Sequence, residues 1–189
     1  MRNLLVFITI PLMIIIFPSC DDNSISWDIS FDCPILFSNI YVNRAWGYQY
    51  SGWYIDLEGQ RYDFDENLEP KIDIAHQSAI SEEILSESLK SATRTDRYLD
   101  QSILSEAIDL LKKAYKGSLS DPETMCFDFG TNSYFAFIRD QKGDTCRSIL
   151  LYQAADSARK NLDPEAIELF ELLREHVDND TSQLPCSPT

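Results

Sequence analysis

The groups best able to move protons or hold metals in this chain of 189 residues are 31 carboxylates and two histidines. Their spacing matches no common catalytic pattern. His76 and His176 stand apart, without a His-Glu-x-x-His or His-x-Glu arrangement. No Gly-x-Ser-x-Gly elbow or Gly-rich phosphate loop accompanies them. His176 falls where a last helical turn is expected, and a partly charged imidazole suits that end of the dipole. Asp63, Asp65 and Glu66 gather in one segment, and Asp178 and Asp180 in another. Neither has the alternating acids and fixed glycine of an EF-hand loop, so both read as solvated charge. No catalytic residue, metal site or cofactor is assigned. Acid–base pairs of carboxylates are defined by their separation in space, and among 31 acids chain spacing does not reveal it.

The thiols say more. Arg2 opens the chain, and Leu4 to Phe17 is a 14-residue apolar run broken only by Thr9 and Pro11. A spanning helix needs about 20 apolar residues, so this run suits the core of an export signal. Phe17-Pro18-Ser19-Cys20 follows. It resembles the lipobox of bacterial prolipoproteins, in which a small residue precedes the cysteine that becomes the mature N-terminus. Ser19 occupies the small position, while Phe17, where that family prefers leucine, and Pro18 depart from the pattern. The resemblance implies that residues 1–19 are a signal peptide and that Cys20 carries a thioether-linked diacylglycerol and an N-acyl chain. Two or more acyl chains give stable anchoring. The expected location is the bacterial cell envelope, with the membrane as partner through Cys20. Asp21 and Asp22 resemble an inner-membrane retention signal in one sorting system and a surface-export signal in others, so both leaflets stay open.

Four cysteines remain: Cys33, Cys126, Cys146 and Cys186. An even number in an exported chain favours disulfides. Of the three pairings, Cys126 with Cys146, on strands expected to be neighbours, and Cys33 with Cys186, tying the two ends, are preferred. No Cys-x-x-Cys occurs, which argues against zinc or a thioredoxin-like pair.

Beyond the leader stand 15 basic and 31 acidic side chains, a net charge of −16. Such a chain is repelled by phosphate backbones, which excludes nucleic acid as a partner. An aromatic content of 12% is too rich for a disordered chain. Residues 20–32 read as the lipidated N-terminus and tether, 33–177 as a single α+β domain, and 178–189 as a polar tail.

Within the domain, Asp56 to Arg61 predicts a tight hairpin with Glu58-Gly59 at its corner. A two-residue loop sets Leu57 opposite Gln60, Ile55 opposite Tyr62 and Trp53 opposite Phe64 on one face. On the other face it sets Asp56 opposite Arg61 as a charge pair. Upstream, Trp46, Tyr48 and Tyr50 are apolar on even numbers, whereas Trp53, Ile55 and Leu57 are odd. A bulge at Gly52 would bring both sets into one core, which is the expected arrangement. Without it the first three lie on the opposite face, covered by a helix or exposed. Trp46, Tyr48 and Tyr50 are therefore the candidate binding patch.

Ser81 predicts a helix cap, with Glu82 and Glu83 in the first turn and an apolar stripe of Ile84, Leu85 and Leu89. Ile103 to Tyr115 shows clear helical spacing after Asp100 and before Gly117. Arg94 and Arg97 form a basic island between these helices. Met125, Phe127 and Phe129 alternate as in a half-buried strand. Tyr134–Arg139 and Cys146–Tyr152 suggest a second hairpin, of unsettled register. Asp163-Pro164-Glu165 opens a last helix. The pattern is α+β: an antiparallel sheet built from two hairpins and packed on one face by about three helices.

One further string, Ala45-Trp46-Gly47-Tyr48 with Gly52, Ile55-Asp56, Gly59 and Tyr62, is similar to a pattern in uncharacterised bacterial lipoproteins and implies no activity. The expected role is non-enzymatic: a lipid-anchored envelope domain that binds a protein or small ligand. The alternatives are an acidic inhibitor or immunity-type protein against a basic toxin or hydrolase, and an envelope hydrolase.

Overall fold

Apolar side chains on both faces of one sheet set the architecture. The computed structural model describes residues 29–45, 47–66, 79–140, 143 and 145–178. In chain order the elements are β1 (Ile29–Ser30), β2 (Phe37–Asn43), β3 (Gln49–Ile55), β4 (Gln60–Glu66), β5 (Ala79–Ser81) and α1 (Glu82–Ser91). They continue with β6 (Thr93–Tyr98), α2 (Gln101–Ala114), β7 (Thr131–Asp140), β8 (Thr145–Ala155), β9 (Arg159–Lys160) and α3 (Pro164–Leu173). One π-helical turn, Arg174–Asp178, extends α3. Among the described residues the strands form one nine-stranded sheet of order β5-β8-β7-β2-β3-β4-β6, with β1 added to β7 and β9 to β8. Every pairing is antiparallel. The fold is mixed α+β but mostly sheet, and β2 lies at its centre between β3 and β7.

The front face carries Phe37, Trp53, Ile55, Tyr134, Ala136, Ile138, Ile149 and Leu151. Against it lie Leu104, Ala107, Leu110, Leu111 and Ala114 of α2 and Ala166, Leu169, Phe170, Leu172 and Leu173 of α3. The back face carries Ile40, Tyr50, Tyr54, Phe64, Phe135 and Phe137, covered by Ile80 and by Leu85 of α1. Helices therefore pack on both faces, which corrects the expected one-sided cover. The reason is visible in β3, where odd and even positions are both apolar. Fully burying one such side chain contributes about 1.5–3 kcal/mol, so neither face can be left open.

The helix ends follow their local signals. The Ser81 side chain accepts from the Ile84 amide, and the Asp163 side chain accepts from the Glu165 amide ahead of Pro164. Asp100 stands at the N-cap of α2 without a side-chain cap bond.

The hairpin register differs by one residue from the two-residue loop. Ile55 faces Arg61, Tyr54 faces Tyr62 and Trp53 faces Asp63. Asp56 is the cause. Its carboxylate accepts the amides of Glu58 and Gln60 at 2.9 Å each, and its carbonyl accepts the Gly59 amide. The loop is thus three residues long, with Gly59 at φ +83°, the positive-φ position such loops require. Asp56 caps its own turn and does not pair with Arg61. The shift turns Arg61 and Asp63 to the front beside Trp53, and Tyr62 and Phe64 to the back.

No bulge occurs at Gly52, since β3 pairs in unbroken register with both neighbours. Gly52 serves close approach instead: at φ +153° a Cβ there would overlap the Asn39 carbonyl oxygen. The irregularity sits elsewhere, between Tyr134 and Phe135, where Leu151 is the extra residue on β8. That bulge is why no simple loop length paired all the apolar residues of the second hairpin. Arg94 and Arg97 lie on β6, an exposed edge strand whose charges discourage further pairing.

Cys33 is bridged to Cys146, and both are fully buried in the back cluster. This corrects the expected Cys126–Cys146 and Cys33–Cys186 pairing. Ser30 and Cys146 are both partners of Arg139, so β1 delivers Cys33 beside the start of β8. Cys126 is also disulfide-bonded.

Candidate functional site: a latched aromatic loop beside a carboxylate knot

Trp53, Tyr134 and Asp178 meet where the front face changes from apolar to polar. Asp178 ends the π turn and accepts from Trp53 Nε1 at 2.5 Å and from the Tyr134 hydroxyl at 2.7 Å. Arg61 lies over the Trp53 ring and 3.9 Å from the Asp178 carboxylate. Its guanidinium donates to Asp63 at 2.6 Å and to the Val177 carbonyl at 2.7 Å. Every polar group named here is committed to another, so the knot fixes where the chain leaves α3. Beyond it the front face turns polar, with Asn39 donating to Asn132 at 2.7 Å and Tyr41 in the next row.

The strands end at a loop, residues 125–130, that holds aromatic rings in water. Phe127 is 80% exposed and Phe129 57%, with Met125 beside them. Met125, Phe127 and Phe129 do not form the expected half-buried strand. The backbone is instead latched from three sides. Asp156 accepts the Phe129 and Gly130 amides, one on each carboxylate oxygen, at 2.9 Å. The Tyr41 hydroxyl donates to the Phe129 carbonyl at 3.0 Å, and Asn43 Nδ2 reaches the Asp128 carbonyl at 3.4 Å. Two non-glycine residues adopt positive φ here, Asp128 at +64° and Ala155 at +84°. Such conformations cost about 1–3 kcal/mol each and persist only where the surroundings impose them. Asp121, Glu123 and Asp128 are exposed acids within and just before the loop in the chain.

The residues singled out from the sequence fall differently. Tyr50 is only 3% exposed and belongs to the back core, its ring centroid 5.0 Å from that of Phe64, which in turn lies 4.5 Å from Tyr54. Tyr48 is half-buried and stacks on Tyr50, with Arg44 over its ring. Trp46 lies outside the described residues, as do Cys20, Cys186, Asp180 and His76. Asp63 is drawn into the knot, and His176 is exposed in the π turn. Among the described residues no three His, Cys, Asp or Glu side chains converge as a metal site, and no helix is long and apolar enough to cross a membrane.

Sequence reasoning missed both features, for different reasons. Asp178 is 125 positions from Trp53, and nothing local connects them. Phe127 and Phe129 carried a usable signal in the Gly130 that follows them, a residue able to end a strand and turn the chain. No protein-family model matches the chain, and no curated protein matches its sequence.

Proposed function

We propose that this protein is a lipid-anchored domain of the bacterial cell envelope that binds a protein partner through the rigid aromatic loop 125–130. The observation that carries the reading is the pair Phe127 and Phe129, held out to solvent by a latched and strained backbone. Exposed aromatic rings on a pre-ordered loop are what binding hot spots are made of, because little conformational entropy is lost on docking. The buried Cys33–Cys146 bridge supports export to an oxidising compartment. The apolar run and Cys20 support the anchor. The exposed acids Asp121, Glu123 and Asp128, within and just before the loop in the chain, favour a basic partner, as an inhibitor of a basic toxin or hydrolase would need.

The test has two arms. Intact-mass analysis of natively expressed protein should find cleavage before Cys20 and a diacylglycerol on it; an uncut, unacylated N-terminus removes the anchor. Crosslinking in intact envelopes should capture a partner with the wild type and lose it, about tenfold or more, with Phe127→Ser/Phe129→Ser. Equal capture by that variant refutes the loop as the binding surface. Capture insensitive to salt refutes the basic partner.

A further inference from the structure

Two carboxamides on the front face leave a donor and an acceptor open. Asn39 on β2 and Asn132 on β7 are diagonal neighbours there, since Asn39 faces Tyr134 and Asn132 faces Tyr41. Asn39 Nδ2 donates to Asn132 Oδ1 at 2.7 Å, and among the described residues neither carboxamide makes another hydrogen bond. Asn39 Oδ1 remains a free acceptor and Asn132 Nδ2 a free donor. Turning both carboxamides end for end exchanges the roles, and the pair still presents one of each. Asn39 is only 8% exposed, and a polar group that deep normally has its hydrogen bonds completed.

The same polar floor continues along the next row. Asp65, Ser51, Tyr41 and Asn132 stand opposite one another across β4, β3, β2 and β7. The Tyr41 hydroxyl is engaged by Phe129 and Asn43. The half-buried Ser51 hydroxyl and the exposed Asp65 carboxylate have no side-chain partner among the described residues. Adjacent strands lie about 4.8 Å apart, so this row spans about 14 Å. That length suits linked sugar rings better than a single one.

We propose that this floor binds an oligosaccharide of N-acetylated amino sugars. The acetamido group is a secondary amide, and its N–H and C=O are the partners that Asn39 Oδ1 and Asn132 Nδ2 lack. Hydroxyls of a linked ring donate to Asp65 and exchange hydrogen bonds with Ser51. The charge agrees with a neutral ligand. Asp65 repels phosphate and carboxylate groups, and Arg61, the cation of the neighbouring knot, is already bound to Asp63 and the Val177 carbonyl. A peptide main chain also carries secondary amides, but it has no hydroxyls for Ser51 and Asp65 to read. The site uses neither the lipid anchor nor the rings of Phe127 and Phe129, so it is a second binding function beside the loop.

The test is a titration of full-length, ¹⁵N-labelled protein in detergent, followed by NMR. The probes are the β-linked N-acetylglucosamine tetramer and the glucose tetramer of the same linkage, which lacks the acetamido groups. The side-chain amide signals of Asn39 and Asn132 should shift with the first, and the second should bind about tenfold or more weakly. Absent shifts, or equal affinity for the two sugars, overturn the site. A response of these signals to tetralysine alone assigns the floor to a basic peptide and overturns it too. Asn132→Asp removes the donor at nearly constant size and should weaken the first sugar about tenfold or more; unchanged affinity refutes the amide pair. Should that variant misfold, the comparison of the two sugars on the wild type still decides. Phe127→Ser/Phe129→Ser should bind the sugar as the wild type does, and a parallel loss would move the sugar to the loop and overturn this placement.

Discussion

The two faces of the sheet are closed by different means. The front is covered by two helices that bury ten residues against it, among them Leu104, Leu110, Leu111, Leu169 and Phe170. The back has one ten-residue helix whose fully buried contribution is Leu85, together with Ile80 and the Cys33–Cys146 bridge. Apolar packing suffices where two helices each bury five side chains. Where the cover is thin, a covalent link across 113 positions holds the layer by limiting the unfolded chain.

Removing the bridge should have the largest effect. Cys33→Ser/Cys146→Ser is expected to lower unfolding free energy by about 4–5 kcal/mol, from the entropy of a loop of this length. Urea denaturation measures the loss, and amide exchange locates it. Faster exchange at Ile40, Tyr54 and Phe135 ahead of α2 and α3 upholds the contrast, and uniform acceleration breaks it.

Core truncations sharpen the same point. Leu111→Ala in α2 should cost about 3–4 kcal/mol and Leu85→Ala in α1 about 2–3, both within the usual range for buried leucine. Equal costs in thermal unfolding would mean that α1 is as well packed as α2.

Next in size is the knot at the front. Asp178→Asn replaces a carboxylate oxygen with an NH₂ donor beside Trp53 Nε1 or the Tyr134 hydroxyl, so one of the two loses its acceptor. The expected cost is about 1–3 kcal/mol. Trp53 fluorescence should shift with it; unaltered fluorescence and stability would reduce the knot to a surface contact.

The smallest effect belongs to Asp32. Its carboxyl is held below the ordinary value of 3.8, first by the hydrogen bond from Arg139, against an opposing effect of burial, and further by Ser30. A folded pKa below the unfolded one means stability that is present above the ordinary value and lost as pH falls through the folded value. Asp32 is 59% exposed, so solvent screening keeps the contribution below about 1 kcal/mol. Asp32→Asn should therefore lower stability at neutral pH by less than about 1 kcal/mol and leave it unchanged at low pH, where Asp32 is already protonated, so that the acid limb flattens slightly. A loss at pH 7 above that size would give this pair a larger part in holding β1 than its exposure allows.

Much of the molecule could be read from neighbouring residues. Ser81 and Asp163-Pro164 set helix starts because a cap needs only an oxygen within two or three positions of an amide. The two apolar parities around β3 could be read as well, but the bulge expected at Gly52 put them on one face, whereas the unbroken register sets them on two. The registers were harder. A single carboxylate, Asp56, moved the first hairpin by one residue by accepting its own turn amides, and that slip alone placed Arg61 and Asp63 against Trp53. Phe127 and Phe129 alternate like a strand, yet Asp156, Tyr41 and Asn43, none of them adjacent in the chain, hold them as an exposed loop.

Local order, then, was written in short range: the helix caps at Ser81 and Asp163 and the two strands that flank Glu58-Gly59. The choice of Cys146 for Cys33, and of Asp178 for Trp53, belonged to the folded chain alone. Those partners are separated by 113 and 125 positions, and which distant groups meet depends on strand order and register, summed over the whole sheet.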